Sequence, residues 1–362
     1  MVTFLKHKLQ NLISDQKFSE ILTGSAWALG ARVIATALGM VTSIIIARWY
    51  GAEVLGMVAV LNSFLMLATI FTVLGTNTSI LRLIPEHLAK YSPTSAFKVY
   101  RKTQYFVAGV SVVTGATLFL GADFIADTIF SKPHLRFYFA LASAFIIFES
   151  LMQLNTQAVR GLRLIRLFAF MQLLPSLSKL VILVPITIFF FHLANPIYAM
   201  FASIFITAVA GAFIMDRVFK QKTNSNDAPY SMPIRRILSI SLPMLMTATM
   251  TFAIAQTGVI MLGMFRSEAE VGYYAVAVKL ATLTAFILRA VNSMAAPKFA
   301  ELYHLNRMDE LLHVAKRSAK LIFWTTSPIL FVIIVPHYPP SGSERGVPGN
   351  RHSYRDANHW TS

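Results

Sequence analysis

The stretch from Val54 to Leu81 runs 28 residues without one charged side chain. About 20 apolar residues suffice to cross the hydrocarbon of a bilayer as a helix, and further runs of that kind recur along the chain. They fall at about 23–47, Val54–Leu81, within Thr103–Ala122, and at about 137–159, 167–191, 197–215, 237–265 and 271–292. A ninth run of 15 residues extends from Leu321 to Val335. Hydrocarbon offers no partner to unpaired backbone groups, so each run must be helical. Most are also far too long for barrel strands. The expected fold class is an all-α integral membrane protein, a polytopic helix bundle. Composition agrees: only 13% of residues are charged, about half the share of a soluble domain. The first run is longer than a signal-peptide core and lacks a small-residue cleavage pattern, so it stays in the membrane. The chain has no cysteine, which excludes disulfides, thiolate metal sites and cysteine nucleophiles.

The net charge of +16 first suggests nucleic acid, but the placement of the charges decides otherwise. Lys and Arg gather in residues 1–20, 82–102, 160–166, 217–236 and 298–320, 21 in all, against four (Arg48, Lys132, Arg136 and Arg266) in the loops between. The two sets alternate along the chain without violation. The positive-inside rule then places the N-terminus and all five basic segments in the cytoplasm, in a multi-pass membrane protein. Spread over five loops, the basic residues form no single nucleic-acid patch. Residues 1–20 mix Phe4, Leu5, Leu9 and Leu12 with Lys6, Lys8 and Lys17, a spacing that suits an amphipathic helix on the membrane surface.

Two hinges divide the apolar runs. Arg48-Trp49-Tyr50-Gly51-Ala52-Glu53-Val54-Leu55-Gly56 separates the first two, and Arg266-Ser267-Glu268-Ala269-Glu270-Val271-Gly272 separates the seventh and eighth. A shift of 216 positions superimposes Gly56 on Gly272 and Ala59-Val60 on Ala275-Val276. Identity across the window is low, but the order of long span, acidic hinge, long span and basic loop repeats at one offset. Six crossings separate the copies, so they share an orientation, as in transporters built from parallel repeats. The expected organisation is a first six-helix lobe over 21–216, a linker over 217–236 and an incomplete second lobe of about three helices over 237–335. Residues 336–362, rich in Pro, Gly, Ser and Arg, read as a disordered, aberrant tail. The second copy halts at a point matching the third span of the first, which reads as a truncated or frame-shifted frame.

The chain resembles the polysaccharide biosynthesis, or oligosaccharide flippase, family, whose superfamily also holds multidrug and toxin extruders. The resemblance is carried by Ala47-Arg48 with Gly51-Ala52-Glu53-Val54-Leu55-Gly56, by Arg160-Gly161-Leu162-Arg163, and by Glu270-Val271-Gly272-Tyr273-Tyr274-Ala275-Val276 before Lys279-Leu280. It covers about 20–335 and then ends, whereas family members usually have twelve or more spans. It implies flipping of a polyprenyl-pyrophosphate-linked oligosaccharide to the outer face of the plasma membrane. It also implies alternating access between lobes, exchange of a coupling ion, and delivery to polysaccharide polymerase machinery.

Five charges lie inside spans, where each costs about 2.5–3.5 kcal/mol at the bilayer centre on insertion scales. In the light of the resemblance, Arg32, Lys179, Lys279 and Arg289 line a cationic cavity that holds the pyrophosphate; the alternative is contact with lipid headgroups. Glu149, midway along the fourth run, either pairs with Lys179 or protonates in ion coupling. Gln153, Asn155, Thr156, Gln157, Gln172 and Ser176 meet sugar hydroxyls or, more simply, hydrogen-bond between helices. Pro175, Pro185 and Pro243 are expected to kink their helices. No nucleophilic triad, phosphate loop, metal-ligand cluster or cofactor motif emerges, so the expectation is a non-enzyme that needs no cofactor or metal. A multidrug or cation exporter of the same superfamily is the near alternative, though it calls for acidic rather than cationic intramembrane residues. A membrane glycosyltransferase or polymerase, which calls for a large outer loop, and a non-functional truncated fragment complete the alternatives.

Overall fold

In a computed structural model of the chain, residues 16–222, 232–282 and 307–334 are described. The amphipathic segment read at residues 1–20, as far as residue 15, lies outside them, as do Arg289 and the tail 336–362. All described regular structure is helical. It comprises α1 (Gln16–Val73), α2 (Thr76–Lys90), α3 (Pro93–Leu120), α4 (Arg136–Gly161), α5 (Ile165–Phe189), α6 (Asn195–Lys222), α7 (Ile234–Phe265), α8 over 268–282, and α9 (Met308–Ile334). Among the described residues six helices are long and apolar enough to cross a membrane, the first of them, over 30–73, containing two runs. The chain is an all-α polytopic membrane protein.

The two runs of α1 are divided by one residue. Gly51 stands at φ 87°, ψ 169°, a conformation nearly closed to side chains with a Cβ. We call residues 16–50 α1a and residues 52–73 α1b. The nine-residue hinge read from the sequence thus contracts to a single glycine. The uninterrupted run Val54–Leu81 is also not one helix. Leu74 (φ 47°) and Gly75 (φ 76°) break it, and Thr76 restarts the chain by donating its hydroxyl to the Val73 carbonyl at 2.6 Å. A search for charges passes over that break, because Gly75-Thr76-Asn77-Thr78-Ser79 is uncharged, although its glycine and small polar residues are a turn signal. The third run begins earlier than expected, at Pro93: Ser92 accepts the Ser95 N–H at 3.2 Å, an N-cap with proline in the first turn. Pro175, Pro185 and Pro243 lie within continuous helices, as does Pro85 of α2.

Side-chain contacts give each helix its direction. Residues Phe64 and Thr72 of α1b meet Phe139 and Ser150 of α4, so those helices run parallel. Helices α4 and α6 are parallel through Phe145–Phe201 and Phe148–Phe205. Helix α3 is antiparallel to α4 through Tyr100–Asn155 and Gly115–Ser143, and so to α6, which it meets at Arg101–Asp216. α1a lies parallel to α5, with Gly39 beside Ser176 and the Tyr50 hydroxyl 2.5 Å from Thr187. The helices therefore alternate in direction. One end of the bundle collects Gly51, residues 121–135, residues 190–195 and Arg266. The other collects Arg82, Lys90, Arg101, Lys102, Arg160, Arg163, Arg166 and Arg217. We call them the hinge end and the basic end.

The described residues form two compact units, divided between Ala277 and Val278. In the second unit, α9 opens with Asp309 and Glu310 in its first turn, where acidic side chains complement the helix dipole, and Arg307 pairs with Glu310. The helix starts at Met308, well before the apolar run that begins at Leu321.

Candidate functional site

Helix α7 runs antiparallel to α1b, meets it at Gly263–Val60 and Ser63–Gln256, and meets α2 at Ser79–Ser241, while the start of α8 closes on α1b at the hinge end. At the hinge end a Cβ on Gly56 would lie 1.8 Å from the Glu268 carbonyl oxygen, and one on Gly272 would lie 2.1 Å from that of Ala52. Lower down, Gly263 faces Val60, the Ser63 hydroxyl donates to Gln256 Oε1 at 2.9 Å, and the Ser79 and Ser241 hydroxyls are 2.6 Å apart. Near the basic end a Cβ on Gly75 would sit 2.3 Å from the Ser241 carbonyl oxygen. Small residues let membrane helices approach backbone to backbone, where packing and interhelical hydrogen bonds replace the hydrophobic effect. Under the 216-position offset Ala52 matches Glu268 and Gly56 matches Gly272. The hinge contact is therefore reciprocal, the pattern a two-fold relation produces.

Where the two helices part, they enclose a cavity of about 410 Å³. Thr69, Asn77, Thr78, Thr247, Thr251 and Gln256 supply its polar groups, with Met66, Ile70, Val73, Met244 and Phe252 among the apolar ones. Gln153 reaches it from α4. Among the described residues no charged side chain lines it. Behind Gln153 stands Glu149, buried at 8% exposure, whose carboxylate accepts the Gln153 amide at 3.0 Å. The carboxyl thus touches the cavity through one amide.

The hinge end carries a second polar cluster. A wide turn over Ile125–Ile129, closed by the Phe130 N–H on the Ile125 carbonyl, leads into Ser131 at φ 53°. That turn presents Lys132, whose Nζ lies 3.3 Å from Glu268 Oε1, with His134 Nε2 at 3.0 Å from the same oxygen. Burial alone would push the Glu268 carboxyl up. Its own backbone N–H, Lys132 and His134 outweigh that and hold it below the usual carboxylate range. Nearby, Arg136 bridges Asp123 at 2.9 Å and Asp127 at 2.6 Å.

A further cavity of about 470 Å³ lies between α1a and α5. It is lined by Trp27, Gly30, Ala31 and Ile34 on one side and Arg166, Ala169, Phe170 and Leu173 on the other.

Of the residues read from the sequence, Arg32 is exposed on α1a and Lys179 is half-buried on α5, and neither lines these cavities. Lys279 belongs to the second unit, and Arg289 lies outside the described residues. Gln153 lines the polar cavity. Asn155 instead accepts the Tyr100 hydroxyl at 2.9 Å inside the bundle, which is the interhelical role. Gln172 is half-buried, and Ser176 faces Gly39. Reading charges alone missed the neutral lining. Its signal was present in Met244, Thr247, Thr251 and Ala255, one face of a helix at intervals of three and four. Among the described residues no group of His, Cys, Asp and Glu is arranged to hold a metal.

The sequence profile described as polysaccharide biosynthesis protein matches residues 21–303. No curated protein matches the chain. Among solved structures, it is similar to the MATE multidrug transporter DinF-BH in complex with rhodamine 6G, at 14% identity over 88% of this chain and 73% of that one, with a TM-score of 0.55. It is likewise similar to the inward-facing conformation of a multidrug resistance MATE transporter of the MOP superfamily, at 17% identity over 85% and 70%, with a TM-score of 0.58. A MOP superfamily transporter from Pyrococcus furiosus, whose binding pocket is described as of reverse polarity, matches at 14% identity over 86% and 79%, with a TM-score of 0.50. At these identities the likeness is one of fold.

Proposed function

Because the chain belongs to the polysaccharide biosynthesis protein family, we propose that it flips a polyprenyl-pyrophosphate-linked oligosaccharide across the plasma membrane. The carrying observation is the polar, uncharged cavity between α1b and α7, in a chain of that family with a transporter fold. Hydroxyl and amide groups from Thr69, Asn77, Thr78, Gln153, Thr247, Thr251 and Gln256 offer both donors and acceptors. That mixture suits sugar hydroxyls, which are themselves both. In this reading the basic end faces the cytoplasm. Within the first compact unit, α1b and α2 of the first six-helix lobe (21–216) face α7, the opening helix of the second copy, across the cavity, in line with the reciprocal hinge contact.

Arg32, Lys179, Lys279 and Arg289 are assigned to the pyrophosphate, which needs cations the neutral cavity does not supply. Glu149 is assigned to ion coupling: protonated it is a neutral buried acid, and ionised it changes what Gln153 presents to the cavity. The flipped product passes to polymerase machinery on the far side. A second reading, export of a lipophilic drug, draws on the uncharged and mostly apolar lining and on the neighbour that holds rhodamine 6G.

Reconstituted protein tests the proposal with a labelled polyprenyl-pyrophosphate oligosaccharide. Gln153→Leu and Thr251→Val should each slow its transfer at least tenfold while protein yield holds. Unchanged transfer in both variants removes the sugar-binding role of this cavity.

A further inference from the structure

The cavity between α1a and α5 takes no part in the transport reading and shares no lining residue with the polar cavity. The two helices run parallel here, residues 27–34 of one beside 166–173 of the other, about 10 Å of helix at 1.5 Å per residue. Half the hydrocarbon thickness is about 15 Å, so the slot extends through much of one leaflet. Seven of its eight lining residues are apolar or glycine, and the eighth is Arg166. Arg166 is the second residue of α5, at the basic end, where the chain emerges toward the headgroups. Trp27 stands at the same end of the slot, 54% exposed, as suits a ring that prefers the interface. No carboxylate among the described residues pairs with Arg166, whereas the neighbouring Arg160 is engaged by the face of Phe168 at 5.4 Å. A Cβ added to Gly30 would meet nothing within 4 Å, so the wall of the slot is open there.

We propose that this slot is a binding site for an anionic phospholipid of the surrounding bilayer, its phosphate on Arg166 and one acyl chain between α1a and α5. The lining supplies one cation at headgroup depth, then apolar surface, in the order in which such a lipid presents phosphate and chain. It supplies no hydroxyl or amide for a sugar, which separates this ligand from the transported one. Occupancy would seat α1a against α5 at the basic end.

The chain's four tryptophans are Trp27, Trp49, Trp324 and Trp360, so one can be kept at a time. The Trp27-only protein is placed in phosphatidylcholine vesicles containing brominated phosphatidylglycerol or, at equal mole fraction, brominated phosphatidylcholine. Quenching by the anionic lipid should exceed that by the zwitterionic one about fivefold, the size of one basic contact at a membrane surface. Arg166→Gln should bring the ratio to about one, Gly30→Phe should reduce quenching by both lipids, and Arg163→Gln should leave the ratio intact. A Trp49-only protein, reporting from the hinge end, should show no preference. Equal quenching of Trp27 by the two lipids, or equal effects of Arg166→Gln and Arg163→Gln, would overturn the proposal, the latter by showing a diffuse surface potential. Relief of quenching by trace polyprenyl phosphate would overturn the assignment to bulk phospholipid.

Discussion

The two cavities are similar in volume, about 410 and 470 Å³, and each is walled on one side by an arm of α1. Their chemistry is opposite. The cavity beside α1b sets hydroxyls and amides among a mostly apolar lining and is braced by the backbone contact of Gly75 with Ser241 of α7, whereas the slot beside α1a is apolar apart from Arg166 and one of its walls is open. What distinguishes them is the partner helix and the side chains it turns toward the cavity. Where glycines let α7 approach within van der Waals contact, polar side chains can be satisfied across the gap, as Ser63 is by Gln256. Along residues 166–173 α5 offers the slot beside α1a no hydroxyl or amide, although the same two helices close on each other at Tyr50 and Thr187, and the slot is the one assigned to lipid.

Two glycines give this contrast its largest expected effect. Gly75 lines the polar cavity and has φ 76° and a backbone oxygen where its Cβ would go, whereas Gly30 lines the slot and has free space. Gly75→Ala should cost about 3 kcal/mol through strain and overpacking, read as a lower unfolding midpoint in detergent. Gly30→Ala should be neutral or stabilise by up to about 1 kcal/mol from helix propensity. Equal effects would erase the distinction between the two walls.

An intermediate effect is expected at the hinge end. Lys132→Met leaves the buried Glu268 carboxylate without its closest permanent cation and should cost about 2 kcal/mol at neutral pH. His134, more than half exposed, should contribute under about 0.5 kcal/mol. The folded carboxyl of Glu268 lies below its unfolded value of about 4.3. Its contribution is therefore complete above that pH and lost as pH falls through the folded value. Acid titration of stability should show this loss below about pH 4 in the parent, and a shallower limb in Lys132→Met.

The smallest effect separates structure from transport within the polar cavity. Gln256→Leu removes the acceptor of the Ser63 hydroxyl and should cost about 1 kcal/mol. Thr251 lines the cavity and its hydroxyl donates to the Thr247 carbonyl of its own helix at 2.8 Å, so Thr251→Val should change stability by less than about 0.5 kcal/mol. A larger loss there would make the lining structural.

Much of this architecture is legible in the sequence, and the illegible part has physical causes. The apolar runs show where helices lie because hydrocarbon tolerates nothing else. The hinge at Gly51 is marked by charge and glycine, since both leave the bilayer there. The break at Leu74–Gly75 is missed because Gly75-Thr76-Asn77-Thr78-Ser79 carries no charge, so a span drawn from the lack of charges runs through its turn signal. The candidate site was sought among charges, since an intramembrane charge is costly and conspicuous. Arg32 and Lys179 line neither described cavity, and the side chains that do, Thr69, Thr247, Thr251 and Gln256, are easily buried in pairs and so attract no notice singly. Of these only Thr247 and Thr251 share a helical face, and the cavity in the structure is what brings the four together. Glu149 was found by its charge, and its link to the cavity through Gln153 was not.

The account turns on what moves through the polar cavity. Proteoliposomes holding this chain should transfer a labelled polyprenyl-pyrophosphate oligosaccharide between leaflets, with Gln153→Leu at least tenfold slower, and should leave rhodamine 6G where it is. Export of rhodamine 6G with no transfer of the lipid-linked oligosaccharide would contradict it.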